Sequence, residues 1–170
     1  MVDKESTGKS RVYVKIPITD LNSATWMLIF KNLQSSLTDP KARDKTFIYG
    51  TYPDKLITDE SDVSEEEIKS EYPIIIVNNT EIPDSSNLTA DDYTKEITIN
   101  IMIEIFSERN DYLDQLSDDI ISILYANESF YSDVGLYDMV INTDNPEPDL
   151  KSGVVIKERS INVTFNYYRN

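Results

Sequence analysis

Residues 93–106, YTKEITINIMIEIF, contain the pattern that decides the fold. Isoleucine recurs at every second position from Ile97 to Ile105, and the residues between are mostly polar, among them Glu96, Thr98 and Asn100. Side chains of a β-strand alternate between its two faces, so this spacing places all five isoleucines on one face. The sequence therefore predicts a long β-strand with one apolar face over about 94–106.

The spacing of the apolar residues becomes helical after this strand and later returns to every second residue. A helical spacing follows, with Ser107 or Asn110 as its N-cap, and its apolar face comprises Leu113, Leu116, Ile120, Ile123 and Leu124. A second long alternation ends the chain, and its apolar phase comprises Val155, Ile161, Val163, Phe165 and Tyr167. The second half of the chain is thus predicted to be a strand, a helix and a strand, with a turn over 127–133 and a possible strand over 136–141.

The first half contains a weaker set of elements. A helix is predicted from Asp20 to about Leu37, and its core stripe would be Trp26, Phe30, Leu33 and Leu37. Residues 47–57 are compatible with a short strand and a turn. The unbroken run Ile74–Val77 predicts a central strand covered on both faces, and the polar stretch 81–92 predicts a long hairpin loop.

Composition limits the possible functions. Lys and Arg number 16 against 31 Asp and Glu, which gives a net charge of −15 that repels nucleic-acid phosphates and anionic membranes. This charge serves either solubility or a passage through which DNA must slide without sticking. No apolar stretch approaches the about 20 residues of a membrane span, and no secretory signal is present, so we expect a soluble, intracellular protein.

Residue types needed for most catalytic and cofactor chemistry are missing. The chain has no cysteine and no histidine, which removes disulfides, thiolate metal sites and the commonest general base. Gly8-Lys9-Ser10 lacks the preceding glycine and strand of a phosphate-binding loop. Asp118-Asp119 are adjacent on a helix and do not converge. We therefore predict no catalytic residue, no metal, no cofactor and no enzymatic activity.

Composition along the chain indicates one domain. Residues 1–11 are polar and predicted to be flexible, and 12–170 are predicted to form a single α+β domain. An acidic insertion around 58–70 is either a solvated segment or a contact surface, the former being more common.

Three segments are candidate subunit interfaces. The arm with Val12, Val14, Ile16 and Ile18 is either a plain edge strand or a piece that docks on a neighbouring subunit. The other candidates are Pro83, Asp84, Asn87, Asp91 and Asp92 in the predicted hairpin loop, and Asp144, Glu147 and Asp149 in a proline-stiffened loop.

The order of elements resembles the tail terminator proteins of long-tailed bacteriophages, also called tail completion or tail-to-head joining proteins. The residues that carry the resemblance are 72–77, 93–106, 112–124 and 154–168, and the likeness covers the chain from about Leu21 onward. Related neck and minor tail proteins share a similar layout. The acidic 59–67 stretch has no counterpart in the family.

The resemblance implies a fold and a function. It implies an α+β fold whose central mixed or antiparallel sheet of about four to five strands is flanked by two main helices. It also implies a structural virion protein, found in the host cytoplasm during assembly, that forms a hexameric ring on the tail tube. Such a ring stops tube polymerisation, joins the tail to the head–tail connector, and lets genomic DNA pass without specific binding.

Two alternatives remain open at this point. One is another neck or tail-tube ring protein of the same particle. The other is a monomeric acidic protein that mimics DNA and inhibits a nucleic-acid-binding enzyme. Mimicry predicts acids spaced along one face, whereas here they cluster in the 59–67 and 144–149 loops and scatter over both helices.

Overall fold

The computed structural model describes residues 15–17, 20–53, 64–79, 85–87, 95–151 and 153–169. The helices are α1 (Leu21–Ser36), α2 (Glu65–Glu71), α3 (Asn110–Ala126) and α4 (Glu128–Asp133). The strands are β1 (Ile48–Tyr49), β2 (Ile74–Asn79), β3 (Ser85–Asn87), β4 (Lys95–Ser107), β5 (Tyr137–Asp144), β6 (Asp149–Lys151) and β7 (Val154–Arg169). The predicted α+β class is confirmed.

The strands form one mixed sheet in the order β1-β2-β4-β7-β5. β1 is parallel to β2, and the remaining pairs are antiparallel. β4 pairs with β7 along its whole length, from Lys95 opposite Arg169 to Ser107 opposite Lys157. β3 pairs with β4 beyond the end of β2, and β6 pairs with the first residues of β7. Two very long strands therefore form the centre of the sheet, and shorter strands flank them.

The helices α1 and α3 cover one face of the sheet, which we call the helix face. The isoleucines of β4 point to this side, together with the alternate residues Ile161, Val163, Phe165 and Tyr167 of β7. The apolar residues Leu113, Leu116, Ile120 and Leu124 of α3 lie against them. The two period-two patterns and the helical pattern of the sequence thus meet in one buried core.

A second, smaller core covers only one end of the opposite face. Ile68 of α2 and the fully buried Tyr72 pack there against Ile74, Ile76, Val154 and Ile156. β2 is consequently buried on both faces, as its unbroken apolar sequence predicts. The rest of this face has no helix over it among the described residues.

The structure describes only the second half of the acidic stretch around 58–70. Residues 54–63 lie outside the described part, but the stretch ends in α2. Ser64 accepts a hydrogen bond from the N–H of Glu67, whose carboxylate accepts one from the N–H of Ser64. This reciprocal capping box begins a helix whose one apolar residue, Ile68, is buried on the sheet.

Several local predictions are wrong in detail. The buried residues of α1 are Leu21, Thr25, Ile29 and Leu33, whereas Trp26, Phe30 and Leu37 are only partly buried at the margin. The N-cap of α3 is Arg109, whose side chain makes no capping hydrogen bond, and Ser107 accepts a hydrogen bond from the Arg109 N–H. The predicted turn over 127–133 contains α4, and the predicted loop over 81–92 contains β3.

The last strand changes its buried phase along its length. Val154 and Ile156 face the second core, while Ile161 to Tyr167 face the first. Val155, which the sequence pattern places in the same phase as Ile161, is exposed. The two cores lie on opposite faces of β7. Each of its two sets of alternate residues is therefore apolar over only part of the strand.

A guanidinium joins three segments at the β1 end of the sheet. Arg43 donates two hydrogen bonds to the Asp39 carboxylate, at 2.6 and 3.1 Å. It also donates to the carbonyls of Ser70 and Glu71 at the end of α2 and of Pro73 before β2. Burial alone would raise the pKa of Asp39, but hydrogen bonds from Arg43 and from the Lys41 N–H lower it below its ordinary value. The side chains are only 12% and 7% exposed, so this is an interior ion pair.

We predict that Arg43→Met lowers the free energy of unfolding by about 3–5 kcal/mol, because it leaves a buried carboxylate and three carbonyls without their donor. The matched control is Arg109→Met, which removes an arginine whose ion pair with Asp111 is solvent-exposed and should change stability little. Urea unfolding followed by circular dichroism measures both. Equal losses in the two variants would contradict the assignment.

Candidate interaction surfaces

The uncovered part of the sheet forms a broad polar surface, which we call the open face. It consists of the residues of the central strands that point away from α1 and α3. From β2 and β4 these are Asn78, Glu96, Thr98, Asn100, Met102 and Glu104. From β7 and β5 they are Glu158, Ser160, Asn162, Thr164, Asn166, Tyr168, Tyr137, Val140, Asn142 and Asp144.

Short polar side chains pair across the strands of the open face. Thr164 donates to the amide oxygen of Asn100 at 2.8 Å, and Thr98 contacts the amide oxygen of Asn166 at 3.5 Å. Asn78 donates to the Glu104 carboxylate. Cross-strand pairs of this kind fix side-chain orientation on a sheet surface. The open face is therefore an ordered array of amides and hydroxyls.

One corner of the open face contains aromatic rings and a bulge. Tyr137 and Tyr168 lie with their ring centroids 5.8 Å apart. The Tyr168 hydroxyl donates to Asp138 at 2.7 Å, and this hydrogen bond raises the pKa of Tyr168 above its ordinary value. Asp138 has a positive φ of 53° where the pairing of β5 with β7 shifts register. This bulge turns the Asp138 carboxylate toward the tyrosine.

The charges on the open face are all negative. Its charged strand residues are Glu96, Glu104, Glu158 and Asp144, and the Asp138 carboxylate lies at its corner. No residue of the set is lysine or arginine, and Lys151 of β6 lies beside Glu158 in the cleft at its end. The pKa of Glu104 is raised, first by burial and then by repulsion from Glu158, and the hydrogen bond from Asn78 opposes this only in part. The surface is thus polar, weakly acidic and unsuited to holding phosphates.

A small cleft of about 140 Å³ lies where the β6–β7 hairpin meets β4, next to the second core. Tyr52 and Tyr72 share a hydrogen bond of 2.7 Å, and Lys151 of β6 donates to the Tyr52 hydroxyl at 2.8 Å. Burial, followed by the hydrogen bond with Tyr52, raises the pKa of Tyr72 far above its ordinary value. The Tyr72 hydroxyl therefore stays protonated, and the cluster holds the hairpin against the sheet.

A larger groove of about 560 Å³ lies beside β1. It is lined by Gln34 of α1 and by residues 43–48. The N–H of Ile75 donates to the Phe47 carbonyl, so strand alternation turns the backbone N–H and C=O of Ile48 away from β2 and toward the groove. Ile48 is only 3% exposed, so this strand edge lies largely covered at the floor of the groove.

Other classes of site are not found in the described part of the chain. No group of three or more carboxylate residues is placed to hold a metal ion there. Among the described helices, none is long and apolar enough to cross a lipid bilayer.

The predicted interface residues are distributed over separate places. Val12, Val14, Ile18, Pro83, Asp84, Asp91 and Asp92 lie outside the described residues. The N–H of Ile16 donates to the Val134 carbonyl, and the Ile16 carbonyl accepts from the Tyr167 hydroxyl, near the start of β5. Asn87 pairs with Lys95.

The acidic candidates lie at the other end of β5. Asp144 is its last residue, Glu147 belongs to the 145–148 connection, and Asp149 begins β6. All three are exposed. The structure therefore does not bring the arm residue Ile16 and the acidic loop together.

Two surfaces were missed by the sequence analysis. The open face could have been recognised from the short polar residues that alternate with the apolar ones in both long strands. The groove beside β1 had no comparable signal in the sequence, because it forms between α1 and the separate segment 43–48.

Comparison with known proteins adds no family assignment: no protein family model matches this sequence, and no curated protein is significantly similar to it.

We predict that Glu104→Gln raises the urea midpoint at pH 7, and that the gain shrinks as the pH is lowered. The folded-state pKa of Glu104 lies above that of the unfolded chain, so the folded state binds more protons between these values. Stability therefore falls as the pH rises through this window, and the amide removes the effect. Asp119→Asn, on the exposed side of α3, is the control. A gain that is independent of pH would contradict the assignment.

Proposed function

We propose that the protein is a structural component of a long-tailed phage particle that forms a ring on the tail tube, stops its polymerisation and joins the tail to the head. The observation that supports this most is the open face, a sheet surface of amides, hydroxyls and carboxylates without a cation. Duplex DNA has closely spaced negative charges, so a wall without Lys or Arg lets it slide. The α+β architecture agrees with the one that the family resemblance implies.

A second argument comes from the edges of the sheet. A closed ring requires two different, complementary surfaces on each subunit. β5 and β1 are the two border strands of the sheet in the part of the chain that the structure describes. Two dissimilar edges on one subunit suit a head-to-tail ring.

Mimicry of DNA is the less favoured alternative. A mimic needs carboxylates at regular intervals along one face, and the open face has mostly amides and hydroxyls between Glu96 and Glu104. Competition between this protein and DNA for a basic enzyme would favour mimicry.

We predict that deletion of the gene gives tails of uncontrolled length, or heads without tails, in negatively stained lysates. Supplying the protein from a plasmid should restore uniform tails. Virions of normal length from the deletion would overturn the proposal. Free full-length tails that retain the protein would favour the terminator over a neck component.

A cation on the open face should impair DNA passage without changing assembly. We predict that Asn162→Lys gives tails of normal length but lower infectivity, because Asn162 is an exposed, central residue of this face. The control is Ser122→Lys on the exposed side of α3. If both variants are equally infectious, the open face does not line the DNA path.

A further inference from the structure

The two borders of the sheet differ in how far they are closed. At the β1 border Ile48 is only 3% exposed, and beyond the end of β1 the indole N–H of Trp26 donates to the Val77 carbonyl at 2.6 Å. β5 forms the other border, and its outer side has no partner among the described strands. Val140 is 50% exposed there, and residues 142–144 are exposed as well. Within the described part of the chain, the edge of β5 is thus the accessible one.

The edge of β5 has only partial protection against pairing with another strand. Exposed edges are usually blunted by a charge, a proline, a bulge or a covering segment. The bulge of β5 lies near its start, between Tyr137 and Val140, and Asp138 and Asp144 are the charged residues of the strand. Residues 139–143 between these acids are uncharged. A covering segment is therefore the protection that would complete this edge.

The chain enters the described part directly beside the start of β5. The N–H of Ile16 donates to the Val134 carbonyl at 3.1 Å, and the Ile16 carbonyl accepts a hydrogen bond from the Tyr167 hydroxyl at 2.9 Å. The side chain of Lys15 lies alongside Gly135, with its Cγ 3.5 Å from the position that a Cβ would take there. Both backbone polar groups of Ile16 are therefore held in place just before β5 begins.

This point of entry and the β5 edge are complementary in charge. Residues 6–17 include Lys9, Arg11 and Lys15 and no acid, although the whole chain has 31 acids and 16 bases. Residues 137–150, which contain β5, include four acids and no Lys or Arg. None of these four carboxylates is in an ion pair with a described Lys or Arg. The acids of the edge are thus available to the cations of residues 6–17.

Residues 1–14, which we call the N-terminal segment, precede this point of entry and lie outside the described part. Val12, Val14 and Ile16 are β-branched and recur at every second position, a pattern typical of a β-strand. The eight residues of β5 span about 27 Å, whereas fourteen extended residues reach about 46 Å. The N-terminal segment is therefore long enough to cover the whole edge.

We propose that the N-terminal segment adds a strand to the free edge of β5 in its own subunit. The segment runs back from Lys15 while the chain runs forward from Gly135 into β5, so the added strand is antiparallel to β5. The same subunit is the favoured donor because the segment starts beside the edge and its pairing there costs no association entropy. Another chain can extend the sheet at this border only after it displaces the segment, which therefore guards the edge. This inference goes beyond the proposed function and applies to a subunit inside or outside a ring.

Disulfide trapping tests the position of the segment, because the chain has no cysteine of its own. Five residues along each segment from the contact of Lys15 with Gly135, Ser10 comes opposite Val140. In the full-length variant Ser10→Cys/Val140→Cys, mild oxidation should close a disulfide within one chain, seen as a monomer of faster mobility on a non-reducing gel.

The matched control is Ser10→Cys/Ser122→Cys, which moves the second thiol to the exposed side of α3. An equal yield of the intramolecular disulfide in this control would overturn the inference. Covalent dimers as the main product of Ser10→Cys/Val140→Cys would also overturn it, because the segment would then pair with a second copy.

Hydrogen exchange tests the added strand without assuming a register. Alternate N–H groups of β5 point away from β7, and a strand on that side would protect them. The full-length variant Val12→Pro/Val14→Pro removes two donors from the segment, so we expect residues 139–144 to exchange several-fold faster than in the unaltered chain. Peptides from β4, which lies between β2 and β7, are the internal reference. Equal exchange of 139–144 in this variant and in the control Val2→Pro would contradict the added strand.

The guarding role can be measured by light scattering. Val12→Pro/Val14→Pro should reach a higher mass than Val2→Pro at the same concentration, because its β5 edge is open to other copies. Equal masses over a concentration series would overturn the guarding role.

The charges can be tested with the same thiol pair. Lys9→Glu/Arg11→Glu should lower the yield of the intramolecular disulfide several-fold, because it brings like charges together across the strand pair. An unchanged yield would overturn the electrostatic part of the inference.

Discussion

The pairing of β4 with β7 is the constraint on which the rest of the structure depends. Both strands are paired along nearly their whole described length. The five isoleucines of β4 and the alternate apolar residues from Ile161 to Tyr167 of β7 point to the same face. That apolar face determines where α1 and α3 pack. The residues that alternate with the apolar ones lie on the opposite face. A shift of one residue in this ladder would exchange the two faces. The buried core and the polar open face are therefore two results of one register.

The long strands and α3 could be predicted from the sequence because their periodicity is strong and continuous. α1 was harder, since its buried seam includes Thr25, whose hydroxyl donates to the Leu21 carbonyl at 2.6 Å. Trp26 is more apolar but lies at the margin, with its indole N–H donating to the Val77 carbonyl at 2.6 Å. The phase of α1 thus depends on tertiary contacts that a count of apolar residues does not contain. β3 could not be predicted from the sequence either. Its residues, Ser-Ser-Asn, are typical of a loop, and only pairing with β4 makes them a strand.

The candidate surfaces differ in the same way. The open face consists of the residues that alternate with the buried ones in the long strands. Its composition could therefore be predicted together with the strands themselves. The groove exists because Arg43 fastens the segment after α1 to the end of α2 and to the start of β2. Such a convergence of distant segments has no periodic signature. The proposed function is argued from both kinds of surface, and the argument uses only their geometry and charge.

The order of the strands along the chain has a consequence for synthesis. β4 can pair with β2 soon after it is made, but its other partner is the last element of the chain. At ordinary rates of translation, several seconds pass before β7 is complete. During that interval one edge of an isoleucine-rich strand has no partner, and such edges promote aggregation. The glutamates that interrupt β4, together with the high negative charge of the nascent chain, oppose association between copies. The acidic composition thus opposes aggregation of the nascent chain until β7 completes the sheet.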